Sequence, residues 1–122
     1  MAIDSFKDLN VWKLSMDLVE VVYKITAQLP PDEKYGISSQ LQRSAVSVPS
    51  NIAEGSKRTS RTDFRHFCLM SLGSAAELET QLLLIERLHP KIDLYNSLDM
   101  VVDIQKMLTS LAKKLKQNND SR

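Results

Sequence analysis

Apolar residues recur every three or four positions in four long segments of this 122-residue chain, and few turn-forming residues lie between the segments. The chain contains only 3 glycines and 4 prolines, which is little material for the many tight turns of an all-β domain. A spacing of three or four residues places apolar side chains on one side of a helix. The sequence therefore predicts an all-α protein, an antiparallel up-down-up-down four-helix bundle.

Prolines, acidic residues and a glycine set the expected bounds of the first two helices. The first helix should cover about 9–28, because the residue before a proline avoids helical angles and Pro30 is followed by Pro31. The second helix should begin near Asp32, whose carboxylate suits the positive end of a helix dipole. It should end at Gly55, which is a natural C-terminal cap.

The last two helices have clear start and stop signals. Ser60 is a good N-cap for the third helix, and Pro90 should end that helix. The fourth helix should cover about 97–116, and residues 118–122 should form a flexible C-terminal tail. The whole chain is then expected to be one domain, with its core in residues 6–116.

The third helix carries more apolar side chains than one core-facing stripe can hold. Leu69, Met70, Leu83 and Leu84 lie off the rows that would face the core. Residues 82–85 alone sweep about 300° of the helix, at roughly 100° per residue. Because a helix that is apolar on most sides is buried on most sides, we predict that this helix forms a subunit interface in a homo-oligomer.

A set of polar residues shares one side of the second helix, because its members recur at spacings of three or four. With Glu77 of the third helix we call this set the polar seam, and on the second helix it comprises Gln40, Arg43, Ser47, Asn51 and Glu54. Pro49 lies among them and predicts a bend in one continuous helix, because proline removes a backbone hydrogen bond. One interpretation is a hydrogen-bonded seam that sets helix register or subunit pairing, and the other is a ligand site. Within the seam, Arg43 is expected to pair with Glu77, either in one subunit or between subunits.

A basic cluster follows the second helix, and it consists of Lys57, Arg58, Arg61 and Arg65. Four basic residues against the single Asp63 give residues 55–66 a local charge of +3, whereas the whole chain carries +1. The near-neutral total argues against binding of nucleic acid through overall basicity, but a local cluster can still attract phosphates. The cluster is thus either a solvated surface or a candidate surface for structured RNA or the ribosome.

No catalytic or metal-binding constellation stands out in the sequence. Glu86 and His89 match one Glu-x-x-His motif, whereas di-iron bundles use two. Cys68 is the only cysteine, and its place between Phe67 and Leu69 predicts a buried thiol in a reducing compartment. We therefore predict a protein that is not an enzyme and has no cofactor, no metal and no small-molecule substrate.

The N-terminus and the lengths of the apolar runs predict a cytoplasmic protein. Residues 1–5 lack the basic start and the apolar stretch of a signal peptide. The longest unbroken apolar runs have four residues, as at 82–85, whereas a membrane-spanning helix needs about 20 predominantly apolar residues. No membrane partner is expected.

Ten short segments carry a family resemblance and occur in order across about residues 6–115. They are Phe6-Lys7-Asp8-Leu9, Val11-Trp12, Leu29-Pro30, Glu33-Lys34-Tyr35-Gly36, Gln40-Leu41-Gln42-Arg43-Ser44-Ala45, Ser47-Val48-Pro49-Ser50-Asn51-Ile52-Ala53-Glu54-Gly55, Phe64, Phe67, Gly73-Ser74-Ala75 and Glu77-Leu78-Glu79-Thr80. The stretch from Asn51 to Gly55 is specific in combination with the segments before and after it. On these residues the chain resembles the 23S rRNA-intervening-sequence protein family.

This resemblance implies a fold, an assembly and two possible functions. Members of this bacterial family are antiparallel four-helix bundles that assemble into ring-shaped pentamers, and the family name records a gene location inside rRNA genes. The family is similar to the accessory variability determinant proteins of diversity-generating retroelements, which bind nucleic acid and a reverse transcriptase through basic surfaces. The resemblance thus implies a homopentameric interaction scaffold, with RNA or ribosome binding through the basic cluster as the alternative.

Overall fold

Four helices make up the fold in the computed structural model, which describes residues 5–120 and the side chains of residues 5–116. The α-helices are α1 (Asn10–Thr26), α2 (Ile37–Ser56), α3 (Arg61–Leu88) and α4 (Tyr95–Asp120), and two short 3-10 helices cover Phe6–Asp8 and Pro31–Glu33. Both α1 and α3 pack against α2 and α4. The described residues contain no strand, and the predicted all-α four-helix architecture is confirmed.

Hydrogen bonds between α2 and α3 show that these two helices run antiparallel. The Ser44 hydroxyl donates to Oε1 of Glu77 over 3.1 Å, and the Ser71 hydroxyl donates to the carbonyl oxygen of Val48 over 2.8 Å. Residue numbers along α3 therefore decrease as residue numbers along α2 increase. The up-down order of all four helices remains a prediction.

The core contains apolar side chains from all four helices. Its largest fully buried members include Leu18, Val22, Leu41, Val48, Ile52, Leu78, Leu82, Ile85, Val101, Ile104, Leu108 and Leu115. Each such side chain stabilises the fold by roughly 1.5–3 kcal/mol relative to exposure. On α2, the apolar residues Leu41, Ala45, Val48 and Ile52 are buried, and the helix continues through Pro49, which is itself buried.

The connection between α1 and α2 differs from the sequence prediction. α1 ends at Thr26, and α2 begins at Ile37 rather than near Asp32. The intervening Pro31–Glu33 forms a separate 3-10 helix. Gly36 has φ −113° and ψ −112°, which lies outside the helical region, so this residue separates the short helix from α2.

Gly55 is not the C-terminal cap that the sequence suggests. α2 continues to Ser56, and none of the described glycines has a positive φ. A Cβ atom on Gly55 would lie 2.6 Å from Cβ of Phe67 and 3.1 Å from Cδ1 of Phe64. Glycine is needed here because α2 and α3 approach each other too closely for any side chain.

The start and end of α3 follow the sequence signals. The Ser60 hydroxyl accepts a hydrogen bond of 3.0 Å from the backbone N–H of Asp63, and this satisfies one of the free donors at the helix start. The helix ends at Leu88, two residues before Pro90. The resulting helix has 28 residues.

α4 is longer than the sequence predicts at both ends. It begins at Tyr95, whose backbone N–H donates to the Asp93 carboxylate over 3.0 Å. It continues to Asp120, so residues 118–120 of the predicted tail belong to the helix. Residues 121–122 of that tail lie outside the described residues.

α3 is long and apolar enough to cross a membrane by length and composition alone. Its most apolar window of 18 residues has a mean hydropathy of 1.2 and is 39% buried in the bundle. The run-length argument missed this property, because polar and small residues break the apolar runs while the mean hydropathy of the window stays at 1.2. The same helix supplies Leu78, Leu82 and Ile85 to the centre of the core, where all three are fully buried.

Candidate functional site

Large apolar side chains cover the side of α3 that points away from the core. We call these side chains the α3 face: Leu69, Met70, Leu83, Leu84 and Leu88, with exposed fractions of 39%, 45%, 42%, 43% and 61%. The prediction that the first four lie outside the core is confirmed, and Leu88 lies on the same side of the helix. Single exposed apolar residues are common, whereas a group along one helix is a candidate interaction surface.

The polar seam lies along the junction of α2 and α3, and much of it is paired within the chain. The hydroxyls of Ser47 and Ser74 share a hydrogen bond of 2.8 Å. The Asn51 amide donates to the carbonyl oxygen and the hydroxyl of Ser47, over 2.9 and 3.0 Å. Glu54 accepts from Arg58 one turn later, over 2.6 Å. Of these contacts, the bond between Ser47 and Ser74 joins the two helices, and the others lie within α2 and the residues directly after it.

An open polar cleft of about 470 Å³ lies between α2 and α3. We call it the α2–α3 cleft, and its lining residues are Gln40, Arg43, Ser44, Ser47, Glu77 and Gln81. The one hydrogen bond that Glu77 receives from a described residue comes from Ser44. Arg43 is exposed and forms no ion pair with any residue that the structure describes. The expected pairing with Glu77 is thus not formed within the described chain, and pairing between subunits remains a prediction.

Gln81 is a buried polar side chain that lines this cleft. It is 7% exposed, and its Oε1 atom has no hydrogen-bond partner among the described residues. A buried acceptor without a donor costs about 1–3 kcal/mol. The cleft therefore contains an acceptor that the chain itself does not satisfy.

Two members of the basic cluster lie against aromatic rings. The Arg58 guanidinium, which is paired with Glu54, also lies 4.7 Å from the ring centre of Phe67. The Lys57 ammonium lies 5.8 Å from the ring centre of Phe6. Both side chains thus already make contacts within the chain. A bound nucleic acid would have to displace these contacts or form beside them.

The other two members of the cluster, Arg65 and Arg61, do not lie in this way against aromatic rings of the described residues. Arg65 donates from Nε to the carbonyl oxygen of Ala112 in α4 over 3.2 Å. Arg61 is half-buried, and its Nε and Nη2 atoms have no partner in the described part of the chain. Because three of the four basic side chains contact the protein itself, they do not form one uniform free surface. RNA or ribosome binding by this cluster remains a prediction.

Cys68 is fully buried in the core, as its apolar neighbours in sequence suggest. Burial raises the pKa of its thiol from 9.0 to about 12, because the thiolate would lose its hydration. The thiol therefore stays protonated at neutral pH, and it lacks the thiolate character that a nucleophile requires.

His89 contacts a residue in the connection between α1 and α2. Its Nε2 atom lies 3.0 Å from Oε2 of Glu33, so the ring ties the end of α3 to the short 3-10 helix. Among residues 5–116, no group of three or more histidine, cysteine or acidic side chains is placed to hold a metal ion. Glu86 and His89 therefore do not belong to a group of this kind within the described residues.

Sequence reasoning missed two residues of the α2–α3 cleft. Gln81 recurs at helical spacing with Leu78 and Ile85 of the core, and Ser44 lies beside Ala45 of the core. A glutamine at a core-facing position is itself a signal, because a buried amide needs partners. That signal indicates a polar contact but cannot identify it.

Comparisons with known proteins agree with this architecture. A family model described as 23S rRNA-intervening sequence protein matches residues 7–117. No curated protein matches the chain. A crystal structure of a protein with unknown function, from the S23 ribosomal protein family of Bacteroides thetaiotaomicron, is similar with a TM-score of 0.77 and 26% identity, over 84% of this chain and 95% of that chain. Because the family match covers most of the sequence, this chain belongs to the 23S rRNA-intervening sequence protein family.

Proposed function

We propose that this protein is a non-enzymatic subunit of a cytoplasmic homo-oligomer that serves as an interaction scaffold, and that the α3 face forms the contact between copies. The observation that carries this proposal is the group of five large apolar side chains exposed on one helix. Removing such surface from water stabilises an assembly by roughly 25 cal/mol per Å². The resemblance to pentameric family members makes five copies the expected stoichiometry.

A second copy fits the α3 face better than a lipid bilayer does. To span a membrane, α3 would have to leave the bundle and expose Leu78, Leu82 and Ile85, which are now fully buried. Glu77 and Arg87 are also exposed on α3, and charged side chains are costly in hydrocarbon. Association with another bundle covers the apolar residues while the existing core stays intact.

The remaining chemistry of the chain supports a binding role rather than catalysis. The only thiol is buried, and its pKa is raised to about 12. The polar seam makes hydrogen bonds that join α2 to α3, such as those between Ser47 and Ser74 and between Ser44 and Glu77. These groups contribute to packing between helices, which is the property a scaffold subunit needs.

Light scattering coupled to size exclusion tests the proposal directly. At micromolar concentration, the wild-type protein should have the mass of an oligomer, which is several times the 13.8 kDa of one chain. Leu83→Glu and Leu84→Glu should each lower that mass, because a charge would be buried in the contact. Met16→Glu is the matched control, since Met16 is 42% exposed on α1, away from α3.

Circular dichroism should show that all these variants remain helical. A wild-type protein that is a monomer would overturn the proposal, and so would an equal loss of mass in Met16→Glu. Binding of the wild-type protein to lipid vesicles, with loss of binding in Leu83→Glu, would assign the α3 face to a membrane instead.

A further inference from the structure

We infer that Arg43 of one copy binds in the α2–α3 cleft of a second copy, where its guanidinium contacts the carboxylate of Glu77 and the amide oxygen of Gln81. This inference rests on the proposed homo-oligomer and deepens it. The α3 face supplies the apolar contact area, and the cleft supplies the polar contact that selects the partner and its orientation.

The acceptors of this contact lie side by side on α3. Glu77 and Gln81 are four residues apart, so their side chains are neighbours on one side of the helix. The Glu77 carboxylate receives one hydrogen bond from a described residue, from Ser44, although a carboxylate has about four acceptor positions. Gln81 is 7% exposed with an unpaired Oε1 atom. A cationic group with several hydrogen-bond donors could pair with the negative charge of Glu77 and with the unpaired acceptor of Gln81 at the same time.

A guanidinium meets that requirement better than an ammonium does. It carries five N–H donors in a planar fork, so one arginine can donate to the carboxylate and to the amide oxygen at once. Arg43 is exposed at the cleft and has no ion pair with a described residue. By contrast, Arg58 and Arg65 already donate to Glu54 and to the Ala112 carbonyl.

Charge complementarity identifies the partner as a second copy of this chain. The cleft carries an unpaired cation on α2 and unpaired acceptors on α3, so the same surface offers both halves of the contact. In a ring of copies, α2 of one copy can face α3 of the next. This arrangement places Arg43 of one copy against Glu77 of another.

The cleft is continuous with the α3 face. Leu84 lies three residues from Gln81 and seven from Glu77, which places all three on the same side of α3. Association through the α3 face therefore brings the cleft into the interface and removes water from it. In that environment an unpaired Glu77 carboxylate destabilises the assembly. Arrangements of the two copies that place an arginine beside Glu77 are therefore favoured over those that do not.

Charge reversal tests this contact through the dissociation constant of the oligomer, measured by analytical ultracentrifugation. Arg43→Glu and Glu77→Arg should each weaken assembly by about tenfold or more, because like charges would meet in the cleft. The double variant should assemble within about threefold of the wild type. An equimolar mixture of the two single variants should form mixed assemblies, whereas each alone assembles poorly.

The matched controls lie on α1, which packs against α2 and α4. Lys13→Glu and Asp17→Arg make the same charge changes at exposed positions, and they should change the dissociation constant by about twofold or less. Glu77→Gln gives a second variant that can keep the hydrogen bond from Ser44 while it removes the charge. It should weaken assembly, and circular dichroism should show an unchanged fold.

The outcomes separate this inference from the proposed function. If Leu84→Glu breaks the assembly while Arg43→Glu and Glu77→Arg assemble like the wild type, the α3 face is the interface and the arginine contact is refuted. If Arg87→Glu weakens assembly and Arg43→Glu does not, a different donor fills the cleft and the inference is wrong. A monomeric wild-type protein would refute the proposed function itself.

Discussion

The junction between α2 and α3 is closed at one end and open at the other, although the same two helices form both ends. At the closed end, Gly55 lets α2 approach Phe64 and Phe67 so closely that an added Cβ would overlap them. At the open end, the α2–α3 cleft contains Gln81, whose Oε1 has no partner among the described residues. The difference shows that the two helices touch at one end so closely that no side chain fits between them. Where a cleft separates the helices, Gln81 keeps an acceptor that no described residue satisfies.

The largest effect is expected at the closed end. Gly55→Ala should lower the free energy of unfolding by about 2–3 kcal/mol, because the new Cβ would lie 2.6 Å from Cβ of Phe67. Gly73→Ala is the matched control, since a Cβ there would meet no atom within 4 Å. That control should be neutral or stabilising by up to about 1 kcal/mol. Chemical denaturation measures both, and equal effects would show that the helices are not in close contact at Gly55.

The next largest effect is a pH dependence of stability that arises because water is excluded from Cys68, beside the closed end. Burial raises the pKa of Cys68 in the folded protein from 9.0 to about 12. The thiol therefore contributes stability that is fully present below pH 9 and is lost as the pH rises through 12. Between pH 8 and pH 10, the free energy of unfolding should fall by about 1.4 kcal/mol from this group.

Cys68→Ala provides the control for this pH dependence. It should lack that loss between pH 8 and pH 10 while it keeps the contributions of every other titrating group. Denaturation curves for both proteins at pH 8 and pH 10 give the difference. An identical pH dependence would mean that water reaches Cys68 and that this part of the core is open.

A smaller effect is expected at the open end. Gln81→Leu should raise the free energy of unfolding of the subunit by about 1 kcal/mol, because it removes a buried amide with an unpaired acceptor. Gln105→Leu should instead lower it by about 1 kcal/mol, since Gln105 donates to Glu79 over 2.8 Å. Both are measured in the Leu84→Glu background, so that assembly does not contribute. A destabilising Gln81→Leu would mean that Gln81 is already satisfied within the subunit.

The smallest effect is expected for the ion pair at the rim of the closed end. Arg58→Ala should cost less than about 0.5 kcal/mol, because Arg58 and Glu54 are 44% and 56% exposed and their interaction is screened by solvent. The same variant serves the RNA-binding alternative in a gel-shift titration with rRNA fragments. A wild-type shift at low salt that Arg58→Ala weakens would support RNA binding by the basic cluster. A large loss of stability would show that Arg58 acts mainly through its packing on Phe67.

Local signals predicted the elements whose causes are themselves local. The apolar row from Leu41 to Ile52 and the cap at Ser60 are both present in the structure, because helical periodicity and capping depend on residues within a turn or two. The surplus of apolar residues on α3 was visible for the same reason. Leu83 and Leu84 cannot point to the core when Leu82 and Ile85 already do.

Tertiary contact overrode the local signals at Gly55 and at the start of α2. Gly55 is of a residue type that commonly caps helices, yet glycine is needed at this position because Phe64 and Phe67 lie against it. Asp32 suits a helix start, yet Pro31–Glu33 folds as a separate short helix that is tied to His89 by Glu33. In both places the deciding partner lies in a distant part of the sequence, so no local pattern contains it.

The sequence by itself determined that the residues of the polar seam share one side of α2, because that follows from the geometry of a single helix. The tertiary structure alone decided their partners. Asn51 bonds within its own helix, Ser47 bonds to Ser74, and Arg43 has no ion pair with a described residue. Partner choice depends on the distance between two helices, and the packing of residues such as Gly55 and Ser71 sets that distance.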